Sequence, residues 1–224
     1  MNAQKDFFAR KSERTGDDVL LIAVTKTRSV EEIKEAISCG ITDIGENRVQ
    51  EILDKYDQVD KSVKWHLIGH LQTNKVKYII DKVHMIHSVD SFKLAREINV
   101  RAANAGIVAN ILIQVNAAQE ESKFGISKDG VEQLLFDILE SCEHIKVRGL
   151  MHIAPFAEDP EEVREYFRDV KDLYRQFSKI KHDRANFTML SMGMSNDFGV
   201  AIEEGSNAIR VGTSIFGNRD YSKI

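Results

Sequence analysis

Leu20-Leu21-Ile22-Ala23-Val24-Thr25-Lys26 is an apolar run closed by a lysine, with Thr27-Arg28-Ser29 following at once. A short run without polar alternation reads as a strand buried on both faces, as a parallel sheet covered by helices requires. If Lys26 points to the interior, the period of two sends Val24 and Ile22 there as well, and turns Ala23 and Thr25 toward the helices. A lysine at the end of such a strand is desolvated on one side. Desolvation disfavours the ammonium, so the amine suits Schiff-base formation with an aldehyde or ketone. The simpler alternative is a lysine that snorkels to water.

Working outward from this run, short apolar segments alternate with amphipathic ones. Strands are expected at 19–26, 41–46, 65–69, 85–89, 110–115, 147–153, 187–192 and 208–212. Helices are expected at 30–39, 48–59, 73–82, 91–105, 129–142, 160–181 and 197–204. Ser29 with Glu32 forms a capping box, and Asp159-Pro160 is an N-cap followed by proline in the first turn. Gly40, Gly106 and Gly205 stand where helices should stop. Eight such alternations in 224 residues predict an α/β fold with a single (β/α)8 TIM-type barrel, residues 1–18 lying outside it. A doubly wound open sheet competes. It is disfavoured because no GxGxxG follows the first strand and because the chemically capable residues gather at the C-terminal ends of several strands.

Composition narrows the function classes. The 224-residue chain is 42% hydrophobic and 29% charged, with a net charge of −4, so no basic footprint argues for nucleic acid. Cys39 and Cys142 are far apart and read as reduced thiols. No stretch reaches membrane-spanning length and the first residues carry no apolar targeting core, so the cytoplasm is expected.

Strand two ends in Gly45-Glu46-Asn47-Arg48, strand three in Gly69-His70-Leu71, strand seven in Ser191-Met192-Gly193-Met194-Ser195-Asn196-Asp197, and strand eight contains Arg210-Val211-Gly212-Thr213. The loops after strands seven and eight are the usual phosphate site of a barrel. Here they hold glycines and hydroxyls, and Ser195 precedes a helix N-terminus. A carbonyl-trapping lysine on one side and a phosphate cradle on the other suggest pyridoxal 5′-phosphate. Each residue has a plainer reading: Ser195 or Asn47 as a helix cap, Gly212 as a packing glycine, Arg210 paired with an acid inside the barrel. The histidines lack metal-ligand spacing, so no metal is expected. Lys75 and Lys77 read as solvated helix residues, and Lys123-Phe124-Gly125, which follows strand five and could line the mouth, reads more simply as a surface turn.

Together, AVTKT at 23–27, GENRVQE at 45–51, WHLIGHLQTNK at 65–75, GLM at 149–151, SMGMSND at 191–197 and RVGTSIFG at 210–217 resemble the YggS/PROSC family. These are pyridoxal phosphate homeostasis proteins, similar in fold to the N-terminal barrel of alanine racemase, and the resemblance runs from about Val19 to Tyr221. It implies that Lys26 forms the internal aldimine, that Arg210 faces the pyridine nitrogen, that Ser195, Gly212 and Thr213 hold the phosphate, and that Asn47 lies near the ring. An arginine beside that nitrogen keeps it unprotonated, which weakens the ring as an electron sink. The implied role is binding and buffering of the cofactor with no established catalytic residue, as a monomer, with apo-enzymes as candidate recipients. The alternative is a racemase or related single-barrel enzyme. Racemases of this fold draw a second acid/base from a β domain and a partner subunit, and only Asn218 to Ile224 follow the last motif, so that domain is not expected. Two departures stand out. The segment before strand one is short for the family, and Gly199 falls early in a helix, where it is expected to loosen the phosphate side by up to about 1 kcal/mol.

Overall fold

The computed structural model describes residues 1–120 and 123–217; Tyr221, the far end of the family resemblance, lies outside them. Eight strands, β1 (Leu20–Val24), β2 (Asp43–Glu46), β3 (Lys64–Leu67), β4 (Met85–Val89), β5 (Ala109–Val115), β6 (Ile145–His152), β7 (Ala185–Ser191) and β8 (Ala208–Val211), pair in sequence order. All are parallel, and β8 returns to β1 through Leu20↔Ala208 to Ala23↔Val211, closing the barrel. The helices are α1 (Asn2–Arg10), α2 (Val30–Ser38), α3 (Val49–Tyr56), α4 (Phe92–Asn104), α5 (Val131–Ser141), α6 (Arg164–Phe177), α7 (Phe198–Glu203) and α8 (Thr213–Phe216).

The alternation read in the first strand holds. Ala23 joins Ile33, Ile44 and Ile52 in the layer between strands and helices. Ile22 faces the barrel axis, where its Cγ2 lies 3.0 Å from the position a Cβ on Gly45 would take. Met85, Leu112 and Met151, with Ile153 and Met189, fill the interior. The capping box closes as predicted: the Glu32 amide donates to Ser29 Oγ at 3.2 Å, and the Ser29 amide donates to Glu32 Oε2 at 2.8 Å. Among the described residues, no helix is long and apolar enough to cross a membrane.

Three elements differ from expectation. The helix expected at 73–82 is a 3₁₀ segment, Thr73–Tyr78, in keeping with the poor helix preference of β-branched Val76, Ile79 and Ile80. The helix expected at 160–181 divides into a 3₁₀ turn, Pro160–Val163, capped by Asp159, and then α6.

The third difference is α1, which the polar N-terminal sequence did not reveal. It packs on α7 and seals the seam between β8 and β1, with Ala9 and Phe8 against Phe198, Ile202, Ile209 and Val211. Gly199 acquires a different meaning here. A Cβ on it would lie 2.6 Å from the Phe8 ring, so the glycine admits the α1 aromatic rather than merely weakening α7. Arg14 and Lys11 complete the attachment. Arg14 donates to the carbonyls of Ile202 and Ser206, and Lys11 pairs with Glu203 at 2.7 Å.

Candidate functional site

The first strand stops at Val24, two residues short of Lys26. Lys26 is half-buried in a turn in which the Arg28 amide donates to the Thr25 carbonyl at 3.0 Å. Thr27 follows at φ +62, a conformation that a β-branched residue rarely adopts. The surroundings hold it there. Glu51 Oε2 accepts the Thr27 amide at 2.7 Å. Lys55 Nζ donates to the Thr25 carbonyl at 3.0 Å, to Glu46 Oε1 at 2.8 Å and to Glu51 Oε2 at 2.9 Å. The Thr25 hydroxyl donates to Glu46 Oε1 at 2.8 Å. Burial raises the pKa of Glu46 despite Lys55. Burial also works against ionisation of Glu51, but there hydrogen bonds from Lys55 and Thr27 prevail and lower it.

Beside this turn stand the loops after β7 and β8. The Gly212 amide donates to Ser195 Oγ at 3.3 Å, joining the two loops. A Cβ on Gly212 would sit 3.3 Å from the Val24 carbonyl oxygen, so a side chain there would crowd the strand that leads to Lys26. Thr213 opens the one-turn α8, and the first amides of a helical turn have no acceptor within it. Neither Ser195 nor Asn47 caps a helix. Arg48 and Asp197 occupy the cap positions of α3 and α7. Asp197 Oδ1 instead accepts the Met194 amide at 2.6 Å and shapes the loop around Ser195. Asn47 is half-buried at the end of β2, tight against Gly69, where an added Cβ would come within 2.3 Å of the Asn47 carbonyl oxygen.

Arg210 is buried, and no acid forms an ion pair with it among the described residues. Its Nη1 donates to Ser191 Oγ at 2.6 Å and its Nη2 to the His152 carbonyl at 2.8 Å. Burial lowers its pKa to about 10, partly opposed by Asp197, so it remains a cation at neutral pH. From Ser191 a chain of buried groups crosses the barrel. Ser191 Oγ lies 3.1 Å from His87 Nδ1, His87 Nε2 lies 2.9 Å from His66 Nδ1, and His66 Nε2 lies 2.8 Å from Asp43 Oδ1. Arg210 can only donate and the Asp43 carboxylate only accepts. With both rings neutral, every bond then runs one way and both histidines carry their proton on Nε2. Burial would raise the Asp43 pKa, but hydrogen bonds from His66 and Thr42 outweigh it and lower it.

The sequence reading missed this relay, although a signal was present. His66 and His87 occupy inward positions of buried strands, where a polar group requires a partner. Lys123 Nζ reaches the Ala154 carbonyl at 3.2 Å, and Phe124 stacks on His70 with ring centroids 3.9 Å apart. Lys123 and Phe124 thereby touch groups just beyond β6 and β3, while the Phe124 ring stays exposed.

A lysine, a cradle of glycines and hydroxyls, and a buried oriented arginine on adjoining strands suit a planar phosphate ester that carries a carbonyl. Residues 8–220 match the family described as alanine racemase, N-terminal domain, the class of protein to which this barrel and site point. The pyridoxal phosphate homeostasis protein of Aquifex aeolicus is 46% identical over 202 residues, covering 90% of this chain and 87% of that one. Its counterpart in Escherichia coli is 35% identical over 219 residues, covering 96% and 92%. The structure of PipY from Synechococcus elongatus with pyridoxal phosphate bound matches with a TM-score of 0.82 at 31% identity, over 94% of this chain and 100% of that one. An alanine racemase of Clostridium difficile shares the fold alone, with a TM-score of 0.72 at 16% identity, over 100% of this chain and 61% of that one. The chain belongs to the alanine racemase N-terminal domain family and, within it, to the pyridoxal phosphate homeostasis proteins.

Proposed function

We propose that this protein binds pyridoxal 5′-phosphate at the C-terminal mouth of the barrel and serves in its intracellular homeostasis, with Lys26 as the residue that joins it covalently. The observation that carries this reading is the closure of β1 against β8. It sets the Lys26 turn beside the Gly212–Thr213 segment, while the Gly212 amide bonds Ser195. Lys26 and the three residues that would hold a phosphate thereby share one rim. Pyridoxal phosphate, when bound, supplies an aldehyde that an amine can join and a ring that can withdraw electrons. The residues present fit it. Ser195, Gly212 and Thr213 would hold the phosphate, Asn47 would lie near the ring, and Arg210, fixed by Ser191 and the His152 carbonyl, would meet the pyridine nitrogen. A permanent cation at that place disfavours a proton on the nitrogen. This supports a holder of cofactor rather than a committed catalyst.

The names of the relatives support the same role. One chain supplies every proposed contact, which supports a monomer, and the free thiols of Cys39 and Cys142 suit the cytoplasm. Apo-enzymes that require the cofactor are the recipients this reading implies.

Adding pyridoxal phosphate to the cofactor-free protein should produce the visible absorbance band of a lysine-linked cofactor, reversed by dialysis against a competing amine. No band at saturating cofactor would remove the reading. Ser195→Ala and Thr213→Ala should each weaken retention while leaving the band attainable at saturation. Each removes one hydroxyl donor to a charged acceptor, worth about 1.5–3 kcal/mol, or roughly ten- to a hundredfold in affinity. Equal affinity of the wild type for pyridoxal and for its phosphate would count against the cradle.

A further inference from the structure

We infer that Glu46, Glu51 and Lys55 are positioning residues for Lys26, because their side chains grip the peptide units on both sides of it. The inference rests on Lys26 being the lysine that joins the cofactor. Glu46 and Glu51 belong to the GENRVQE segment that also carries Asn47.

The geometry separates this trio from an ordinary ion-pair cluster. Its members bond one another, but they also bond three groups of the Lys26 turn: the Thr25 carbonyl, the Thr25 hydroxyl and the Thr27 amide. These groups flank Lys26 immediately on either side. Glu46 comes from the outward face of β2, and Glu51 and Lys55 are one turn apart on α3. The trio therefore clamps the turn to a strand and a helix that are themselves packed into the core through Ile44 and Ile52.

The placement is costly, which makes a positional role the better explanation. The Glu46 side chain is 0% exposed and that of Lys55 is 11% exposed. Glu46 Oε2 has no hydrogen-bond partner among the described residues. Apolar residues of the same size would fill that wall without the desolvation penalty that buried charges carry. What apolar residues could not do is hold Thr27 at φ +62. A backbone conformation of this kind persists only where its surroundings over-determine it, and such conformations cluster at functional sites. Thr27 in that conformation sets the direction in which the chain leaves Lys26, and hence the place from which its amine starts.

The test measures how fast pyridoxal phosphate becomes trappable by borohydride on Lys26, mapped by peptide mass spectrometry. Displacing a reacting group by about 1 Å can cost on the order of a hundredfold. Glu51→Ala and Lys55→Met should therefore slow capture by about tenfold or more. Glu51→Gln keeps an oxygen for the Thr27 amide and should recover most of the rate. Two readouts separate positioning from general damage. Pyridoxine 5′-phosphate has no aldehyde and cannot be joined, so its affinity should stay at the wild-type value in Glu51→Ala. Amide exchange at Thr27 in the cofactor-free protein should accelerate in the same variant. Should Glu51→Ala fail to fold, Thr25→Val removes only the hydroxyl bond to Glu46 and should slow capture by a smaller factor. Capture as fast as wild type in folded Glu51→Ala and Lys55→Met, or a parallel loss of pyridoxine 5′-phosphate binding, overturns the inference. Trapping on a lysine other than Lys26 in the wild type overturns the parent reading instead, so the two failures are distinguishable.

Discussion

Lys26→Ala should abolish borohydride-trappable cofactor and leave the barrel folded. The side chain sits at the apex of a turn beyond β1, outside both the axial layer of Met85, Leu112 and Met151 and the outer layer around Ile44 and Ile52. Substitutions away from packed layers usually change stability by no more than about 0.5 kcal/mol. The loss should therefore appear in the cofactor and not in the unfolding curve. The cradle and Arg210 remain, so non-covalent retention should persist at reduced affinity. The visible band of the linked form, the mass of the reduced adduct and a urea unfolding curve check the three parts of this expectation. Lysines 75 and 123 are the nearest competitors in sequence logic. A reduced adduct that survives on either of them in Lys26→Ala would show that the aldehyde is not reserved to the first strand.

Acidification should destabilise the cofactor-free protein strongly as the pH drops below the range where free histidine titrates. The His152 ring is buried. Its Nδ1–H donates to the Val115 carbonyl at 2.9 Å, and its Nε2 has no partner among the described residues. Burial above all, helped by the charges of Arg210 and Lys123 and opposed by the Val115 carbonyl, lowers its pKa to about 4. Burial, then His66 and Arg210, push His87 well below its ordinary value. An unfolded histidine titrates near 6.5, so between that pH and the folded value the unfolded state binds more protons and stability falls as pH falls. The contribution is whole above about pH 6.5 and gone near pH 4, a span of roughly 2.5 units that amounts to about 3 kcal/mol for His152 alone. Glu46 and Asp197, whose pKa values burial raises, take up protons in the folded state and offset part of the loss. Urea unfolding at several pH values measures the slope. His152→Gln keeps an N–H for Val115 but does not titrate, and should flatten the slope. An unfolding midpoint that stays level through this window would mean that the ring is protonated in the fold.

Much of the fold was written in local pattern. Unbroken apolar runs such as Leu20–Val24 can be strands only where both faces are covered, and their alternation with amphipathic segments leads to a closed parallel barrel. Lys26, Ser195, Arg210, Gly212 and Thr213 could be singled out because strand ends in a barrel converge on one face. Contacts between residues distant in sequence were not legible in this way. α1 carries too few apolar residues to announce itself, and it becomes a helix with a buried face because Gly199 leaves room for the Phe8 ring. His66 and His87 read as isolated histidines until β4 and β7 face each other across the axis and Ser191 links them to Arg210. Thr27 gave no sign of a positive φ, since the carboxylate that accepts its amide, Glu51, comes from α3. The sequence by itself determined which segments are strands and which residue types stand at their ends, because period and burial are local properties. Only the tertiary structure decided which polar groups satisfy one another, because a buried hydrogen bond depends on distances that chain closure alone sets.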